Sequence, residues 1–186
     1  MSDYRFAIEI FFDDKTDKHI RNIWEILKSK NITDSMICGG WHPHISLVVF
    51  DLDSIDTLIP VIKSFADNQN ELPIAFTQIG VFPIEYGVVY FAPTVTNTLL
   101  KFHADFFSVF NTLTDEISDY YRPDKWIPHC SVGLNLSIPQ IEKTVSICRE
   151  IGLPQNAVIS KIALVDLPTA KILKQFNLRA PLKIDF

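Results

Sequence analysis

Trp41-His42-Pro43-His44-Ile45-Ser46-Leu47 is followed, 85 residues later, by Trp126-Ile127-Pro128-His129-Cys130-Ser131-Val132. Both copies read Trp-x-Pro-His-x-Ser and run into an apolar, β-rich stretch. Continued without a gap, the alignment sets Ile74 on Ile159 and Phe82-Pro83 on Leu167-Pro168. The helical stretch after each motif also falls on its counterpart. Chance can supply one such motif; a second inside the same strand–helix–strand frame points to duplication. Repeats of this length imply two similar supersecondary units about a pseudo-twofold axis.

The surrounding pattern supplies the elements. Residues 4–12 (YRFAIEIFF) form a β-rich run, and residues 17–29 place Ile20, Ile23, Trp24 and Leu27 on one helix face. Cys38-Gly39-Gly40 marks a turn before a strand over 43–50. A helix is expected over about 54–67, strands over 72–81 and 87–92 joined through 82–86, and a helix over 97–114 with Leu99, Phe102, Phe106, Phe110 and Leu113 buried. Strand 129–135 precedes a helix over 138–150, with Ser137 as N-cap and Gln140 in capping-box position. Strands over 157–166 and 171–178, split by Leu167-Pro168-Thr169, close the chain. The expected fold is α+β: a single two-lobed domain over 1–186, with units of about 4–86 and 87–178 resembling ferredoxin-like halves. Antiparallel-rich sheets would line a central cleft, with helices outside.

Composition narrows the function. With 47% apolar and 21% charged residues, the 186-residue chain is neither disordered nor a coiled coil. Its 14 phenylalanines point to a Phe-filled core. A formal charge of −5 opposes binding to a long polyanion, so no long duplex nucleic acid is expected as partner. Three cysteines without CxxC spacing fit a reducing compartment. MSDYRF is no signal peptide and no apolar run approaches membrane-spanning length, so a cytoplasmic protein without membrane attachment is expected.

Side chains i and i+2 of a strand share a face. His44 and Ser46 therefore point together, with Ile45, Leu47 and Val49 opposite. His129 and Ser131 likewise share a face, with Cys130, Val132 and Leu134 turned away. A twofold axis would bring two imidazoles and two hydroxyls to one cleft. A lone strand histidine is usually a hydrogen-bonded structural residue; a duplicated, symmetric His-x-Ser is not explained that way. The set suits phosphodiester chemistry: a neutral imidazole takes a proton from the attacking oxygen while an imidazolium protonates the leaving oxygen. The serine hydroxyls can donate to the nonbridging phosphate oxygens. The scheme requires neither metal nor cofactor. No Gly-rich P-loop is present, which removes ATP-driven ligation.

His44-Ile45-Ser46 and His129-Cys130-Ser131, each preceded by Trp-x-Pro, resemble the two H-x-[ST] signatures of the 2H phosphoesterase superfamily. That superfamily includes 2′-5′ RNA ligase-like proteins and small cyclic nucleotide phosphodiesterases, and the resemblance covers almost the whole chain. It implies a two-lobed fold with the motifs facing a cleft, and activity on RNA-type phosphoesters. It assigns His44, Ser46, His129 and Ser131 as the catalytic set; serine stands in both copies where threonine is commoner, which keeps the hydroxyl. The expected reaction is hydrolysis of 2′,3′-cyclic or ADP-ribose 1″,2″-cyclic phosphates on nucleotides or RNA ends, giving a 2′-phosphate. His129 is expected to activate water and His44 to protonate the leaving ribose oxygen; the near-symmetry leaves the reverse open. Rival readings are a 2′-5′ oligonucleotide phosphodiesterase or reversible 2′-5′ RNA ligase, and a non-catalytic nucleotide- or RNA-binding module. The last lacks the strand signature of an RNA-recognition sheet.

Around the motifs, Trp41 and Trp126 are candidates for stacking on a base, worth about 1–3 kcal/mol each, or for closing the core of each lobe. His42 lacks a counterpart, since Ile127 stands there, and is a candidate substrate contact rather than a metal ligand. Tyr121, Arg122 and Lys125 of the loop 120–126 are candidates for holding phosphate or base, and Phe82 and Tyr86 for lining the cleft. His103, on an apolar helix stripe, is expected to be structural, and His19 exposed. The expected partner is a small nucleotide or RNA-end phosphoester, and the protein is expected to act as a monomer.

Overall fold

The computed structural model describes residues 4–83 and 85–180, so Ile84 of the connector and both chain ends lie outside it. β1 (Phe6–Phe12) leads into α1 (Asp14–Ser29), a short α2 (Ser35–Cys38), β2 (His44–Phe50) and α3 (Leu58–Asn68). β3 (Leu72–Ile74), β4 (Phe76–Phe82) and β5 (Gly87–Pro93) follow, then α4 (Asn97–Phe110), β6 (Cys130–Leu136) and α5 (Ile138–Ile151). β7 (Ala157–Asp166) and β8 (Lys171–Asn177) close the chain.

Two antiparallel sheets result. One runs β2-β1-β7-β3, with β8 also paired to β7; the other runs β4-β5-β6. In the first, β1 lies between β2 and β7; in the second, β5 lies between β6 and β4. β7 comes from the later half of the chain and β4 from the earlier half, so each sheet takes strands from both halves. The fold is α+β.

Several boundaries depart from the sequence expectation for local reasons. The run 72–81 is two strands, because the chain leaves one sheet for the other at Ala75. There the Phe76 N–H donates to Pro154 O (3.1 Å) and Ala75 O accepts from Thr94 N–H (2.8 Å), so the break leaves these groups satisfied. α3 begins at Leu58 rather than 54, which puts Pro60 in its first turn, where a missing N–H costs nothing. At the start of α5, Gln140 Oε1 accepts from both the N–H (2.9 Å) and the hydroxyl (2.8 Å) of Ser137. The amide nitrogen of Gln140 in turn donates to Ile32 O (2.6 Å), tying α5 to the loop after α1.

Helices and sheets share one core. α1 buries Ile20, Ile23, Trp24 and Leu27; α4 buries Leu99, Phe102, Phe106 and Phe110. Phenylalanines interlock there edge to face: Phe50 on Phe110 at 4.6 Å, and Phe65 on both Phe102 (5.2 Å) and Phe106 (5.1 Å). Each such side chain contributes roughly 1.5–3 kcal/mol by burial. α1 packs on α5 and α4 on α3, leaving the opposite sheet faces to form the cleft. Among the described residues, no helix is long and apolar enough to cross a membrane.

Candidate active site

The cleft has a volume of about 430 Å³, and His44, Ser46, His129 and Ser131 all line it. β2 and β6 adjoin, so the two His-x-Ser pairs face one space. Trp41, Val49, Tyr121 and Leu134 are also among its walls. Val49 and Leu134 were expected to point away. Strict alternation fails because β2 carries a bulge at Leu47, where Ile8 pairs with Val48 and Glu9 with Ser46, and β6 is bulged between Ser131 and Leu136.

The two histidines are anchored alike. His44 Nδ1 lies 2.6 Å from His42 O, and His129 Nδ1 lies 2.7 Å from Ile127 O. A carbonyl only accepts, so both rings carry Nδ1–H and turn Nε2 outward. The intervening prolines, Pro43 and Pro128, hold the preceding residue extended and so aim that carbonyl back at the ring. Burial pulls the His129 imidazole below its ordinary range, and His44 pulls it the same way. Burial lowers His44 further, to about 4, against its bond to the His42 carbonyl.

Beside His44 stands a residue the sequence reading passed over. Glu9 of β1 is only 1% exposed, and its Oε1, which has no hydrogen-bond partner, lies 3.4 Å from His44 Nε2. Desolvation raises its carboxyl to about 8, which favours the neutral acid over the carboxylate. The available signal was a lone carboxylate inside YRFAIEIFF, every other described member of β1 being apolar. The equivalent place beside His129 belongs to Tyr90, which pairs with Ser131 across β5 and β6. Its ring stacks on Phe82 (4.3 Å), and both meet the His129 ring edge to face, at 5.4 and 4.9 Å. Gly80 makes room for it: a Cβ there would fall 2.3 Å from the Tyr90 ring.

The other candidate residues divide. Trp41 lines the cleft with its ring centre 5.8 Å from that of His44, and Gly39 leaves space for its indole. Trp126 does not line it. Buried to 8% exposure, it stacks flat on His103 (4.0 Å) and donates from Nε1 to Ser46 O (2.9 Å), so it supports the first motif from below. Tyr121 lines the cleft, and its phenol meets the Ser46 hydroxyl. Arg122 and Lys125 point instead to Asp119, at 2.9 and 3.0 Å. No lysine or arginine is among the described residues lining the cleft. Phe82 braces His129 from the side, whereas Tyr86 is 59% exposed in the turn between β4 and β5. His42 faces a neighbouring hollow, its Nδ1 2.8 Å from an Arg21 nitrogen.

His103 is buried with Nε2 near Leu47 O and Tyr121 O. His19, expected to be exposed, is half-buried, because its Nε2 reaches Gly152 O (2.8 Å) between α1 and α5. Cys130 is 1% exposed on the core side of β6, its thiol pushed up to about 12 by burial. No group of three or more His, Cys, Asp or Glu side chains among the described residues is placed to hold a metal ion.

Comparison with known proteins adds the following. The profile of the family described as the 2′-5′ RNA ligase superfamily matches residues 12–169. No curated protein gives a significant sequence match. Among solved structures, TT0787 of Thermus thermophilus is similar in fold, with a TM-score of 0.62 at 14% identity over 95% of this chain and 98% of that one. E. coli LigT complexed with 3′-AMP gives 0.56 at 12% identity, over 96% and 99%. Kluyveromyces marxianus Usb1 gives 0.51 at 8% identity, over 95% and 98%.

Proposed function

The chain belongs to the 2′-5′ RNA ligase superfamily, and from that premise we propose that it is a metal-independent phosphodiesterase opening cyclic phosphates of nucleotides or RNA ends. The observation that carries the reading is the pair of Nδ1-anchored imidazoles, each turning Nε2 away from its backbone anchor, beside serine hydroxyls in one cleft. Substrates of this kind are 2′,3′-cyclic phosphates and ADP-ribose 1″,2″-cyclic phosphate, and the product is a 2′-phosphate.

Both Nε2 atoms are unblocked by their own backbone bonds, so one can take a proton while the other gives one. His129 removes a proton from water, whose oxygen forms the new bond to phosphorus. The bond from phosphorus to the ribose oxygen breaks, and that oxygen leaves with a proton from His44. Ser46 and Ser131 donate to the nonbridging oxygens as charge grows there. A cleft of about 430 Å³ suits a mononucleotide or the end of an RNA, and the absence of cations from its described walls favours a singly charged diester over a long polyanion. That E. coli LigT has been crystallised with 3′-AMP supports a small nucleotide as ligand of this fold.

The test is turnover by the purified protein, as a monomer and with EDTA present. The panel is the four nucleoside 2′,3′-cyclic phosphates, ADP-ribose 1″,2″-cyclic phosphate and a 2′-5′ adenylate dimer. Turnover of a cyclic phosphate to a 2′-phosphate supports the reading. Cleavage of the dimer alone transfers the activity to 2′-5′ linkages, and binding without turnover favours the non-catalytic module.

A further inference from the structure

We propose that Glu9 is a positioning residue that supplies a proton to His44 Nε2, so that the two otherwise matched histidines are committed to different roles: His44 as acid and His129 as base. The inference rests on the reading of the site as a two-histidine phosphodiesterase.

The symmetry of the two motifs extends to their backbone anchors and stops at their third neighbours. His44 has a carboxyl group against its outward nitrogen; His129 has the rings of Phe82 and Tyr90. Glu9 stands opposite Ser46 on β2 and opposite Ala163 on β7, so no cation on either neighbouring strand is placed directly against it. The nearest lysine of β7, Lys161, pairs with Phe11 and reaches toward Asp14 (4.0 Å). Tyr121, on the loop after α4, and Cys130 of β6 also sense Glu9, and neither is a cation. Burial also disfavours an imidazolium at His44 and a carboxylate at Glu9. A neutral carboxylic acid facing a neutral imidazole is the form that satisfies both. In that form Nε2 carries no proton of its own, because the ring N–H is committed to His42 O, and the Glu9 carboxyl 3.4 Å away is the group that can supply one.

The step balances. Water gives a proton to His129 Nε2, and its oxygen bonds to phosphorus. The leaving ribose oxygen keeps the electron pair of the broken bond and takes from His44 Nε2 the one proton that Glu9 passes to that nitrogen, so that His44 ends as the neutral Nδ1–H imidazole. The site then holds imidazolium at His129 and carboxylate at Glu9, with no change in net charge. It resets when His129 loses a proton to solvent and Glu9 regains one. His129 has no such donor and starts free to accept.

Two measurements test this. The first uses no substrate: the protein is labelled with ¹³C in glutamate carboxyls and ¹⁵N in histidine rings and titrated from pH 5 to 10, Glu9 being assigned by its loss in Glu9→Gln. The expected result is a Glu9 carboxyl that ionises far above the other glutamates, with the His44 ring signal moving over the same interval and flat there in Glu9→Gln. A Glu9 already ionised at pH 7, or a His44 signal indifferent to Glu9→Gln, overturns the inference. The second is the pH dependence of kcat on the cyclic nucleotide turned over. Glu9→Gln should shift the alkaline limb to lower pH and reduce kcat at pH 8 at least about tenfold, while KM changes less than about twofold. An alkaline limb unchanged in Glu9→Gln overturns the assignment of roles. A wild-type protein that turns over nothing counts against the phosphodiesterase reading, and the titration then decides the Glu9–His44 pair by itself.

Discussion

Glu9 and Tyr90 occupy equivalent places on the two sheets: Glu9 pairs with Ser46 across β1 and β2, and Tyr90 pairs with Ser131 across β5 and β6. Each flanks a histidine on the cleft face, and each faces a small residue on its other side, Ala163 or Gly80. The backbone is nearly twofold at this level, yet one position holds an acid and the other an aromatic ring. The asymmetry that a directional proton transfer needs therefore resides in β1 and β5, the strands paired with the two motif strands, outside the repeated motif.

Holding the Glu9 carboxyl neutral has a cost in stability. Its pKa is 4.5 in the unfolded chain and about 8 in the folded one. Between these values the unfolded chain releases a proton that the folded one keeps, so stability falls as pH rises, by about 1.4 kcal/mol per unit. Glu9→Gln removes this term. In urea titrations it should match wild type near pH 4.5 and exceed it by about 3 kcal/mol at pH 7. A difference independent of pH would mean that the carboxyl is not held neutral.

Gly80→Ala should disturb the second motif through Tyr90. A methyl placed 2.3 Å from the Tyr90 ring forces the ring off Phe82 and away from His129. The expected loss is about 1–3 kcal/mol of stability together with reduced turnover. In a Tyr90→Ala background the same substitution should cost much less, because the obstructing ring is gone. Equal costs in the two backgrounds would show that the clash is relieved elsewhere.

The two motif tryptophans should separate by assay. Trp126→Phe removes the donor to Ser46 O and part of the stack on His103, and should cost about 1–3 kcal/mol in unfolding experiments. Trp41→Phe, in the cleft wall, should cost less than about 1 kcal/mol and act on KM instead. The reverse pattern would place the substrate contact on Trp126.

Arg122 and Lys125 already share the Asp119 carboxylate on the surface. Removing both by alanine substitution should leave stability within about 1 kcal/mol and kcat/KM within about twofold, as expected for exposed pairs. A fall of tenfold or more, steepening at low salt, would put the substrate phosphate on this loop.

What the sequence made legible follows from periodicity. A strand period of two is enough to put His44 beside Ser46 and His129 beside Ser131, and a helix period of 3.6 selects the buried stripes of α1 and α4. The bulges at Leu47 and in β6 interrupt that period, and so Val49 and Leu134 turn into the cleft unannounced. Trp41 and Trp126 sit alike in sequence and differ in fate because His103, from α4, is available only to Trp126. Glu9 lies 35 positions from His44 in a run that reads as ordinary buried strand. Its importance depends on a cross-strand register that no local pattern encodes.

The most direct test of the two-histidine site compares turnover of the preferred cyclic phosphate by His44→Ala, His129→Ala and the double variant, each shown to be folded. Acid and base act in one transition state, so each single variant should lose about 10²–10⁴-fold in kcat, and the double variant far less than the product of the two losses. Either single variant retaining wild-type turnover, or losses that multiply fully in the double variant, would contradict paired action by His44 and His129.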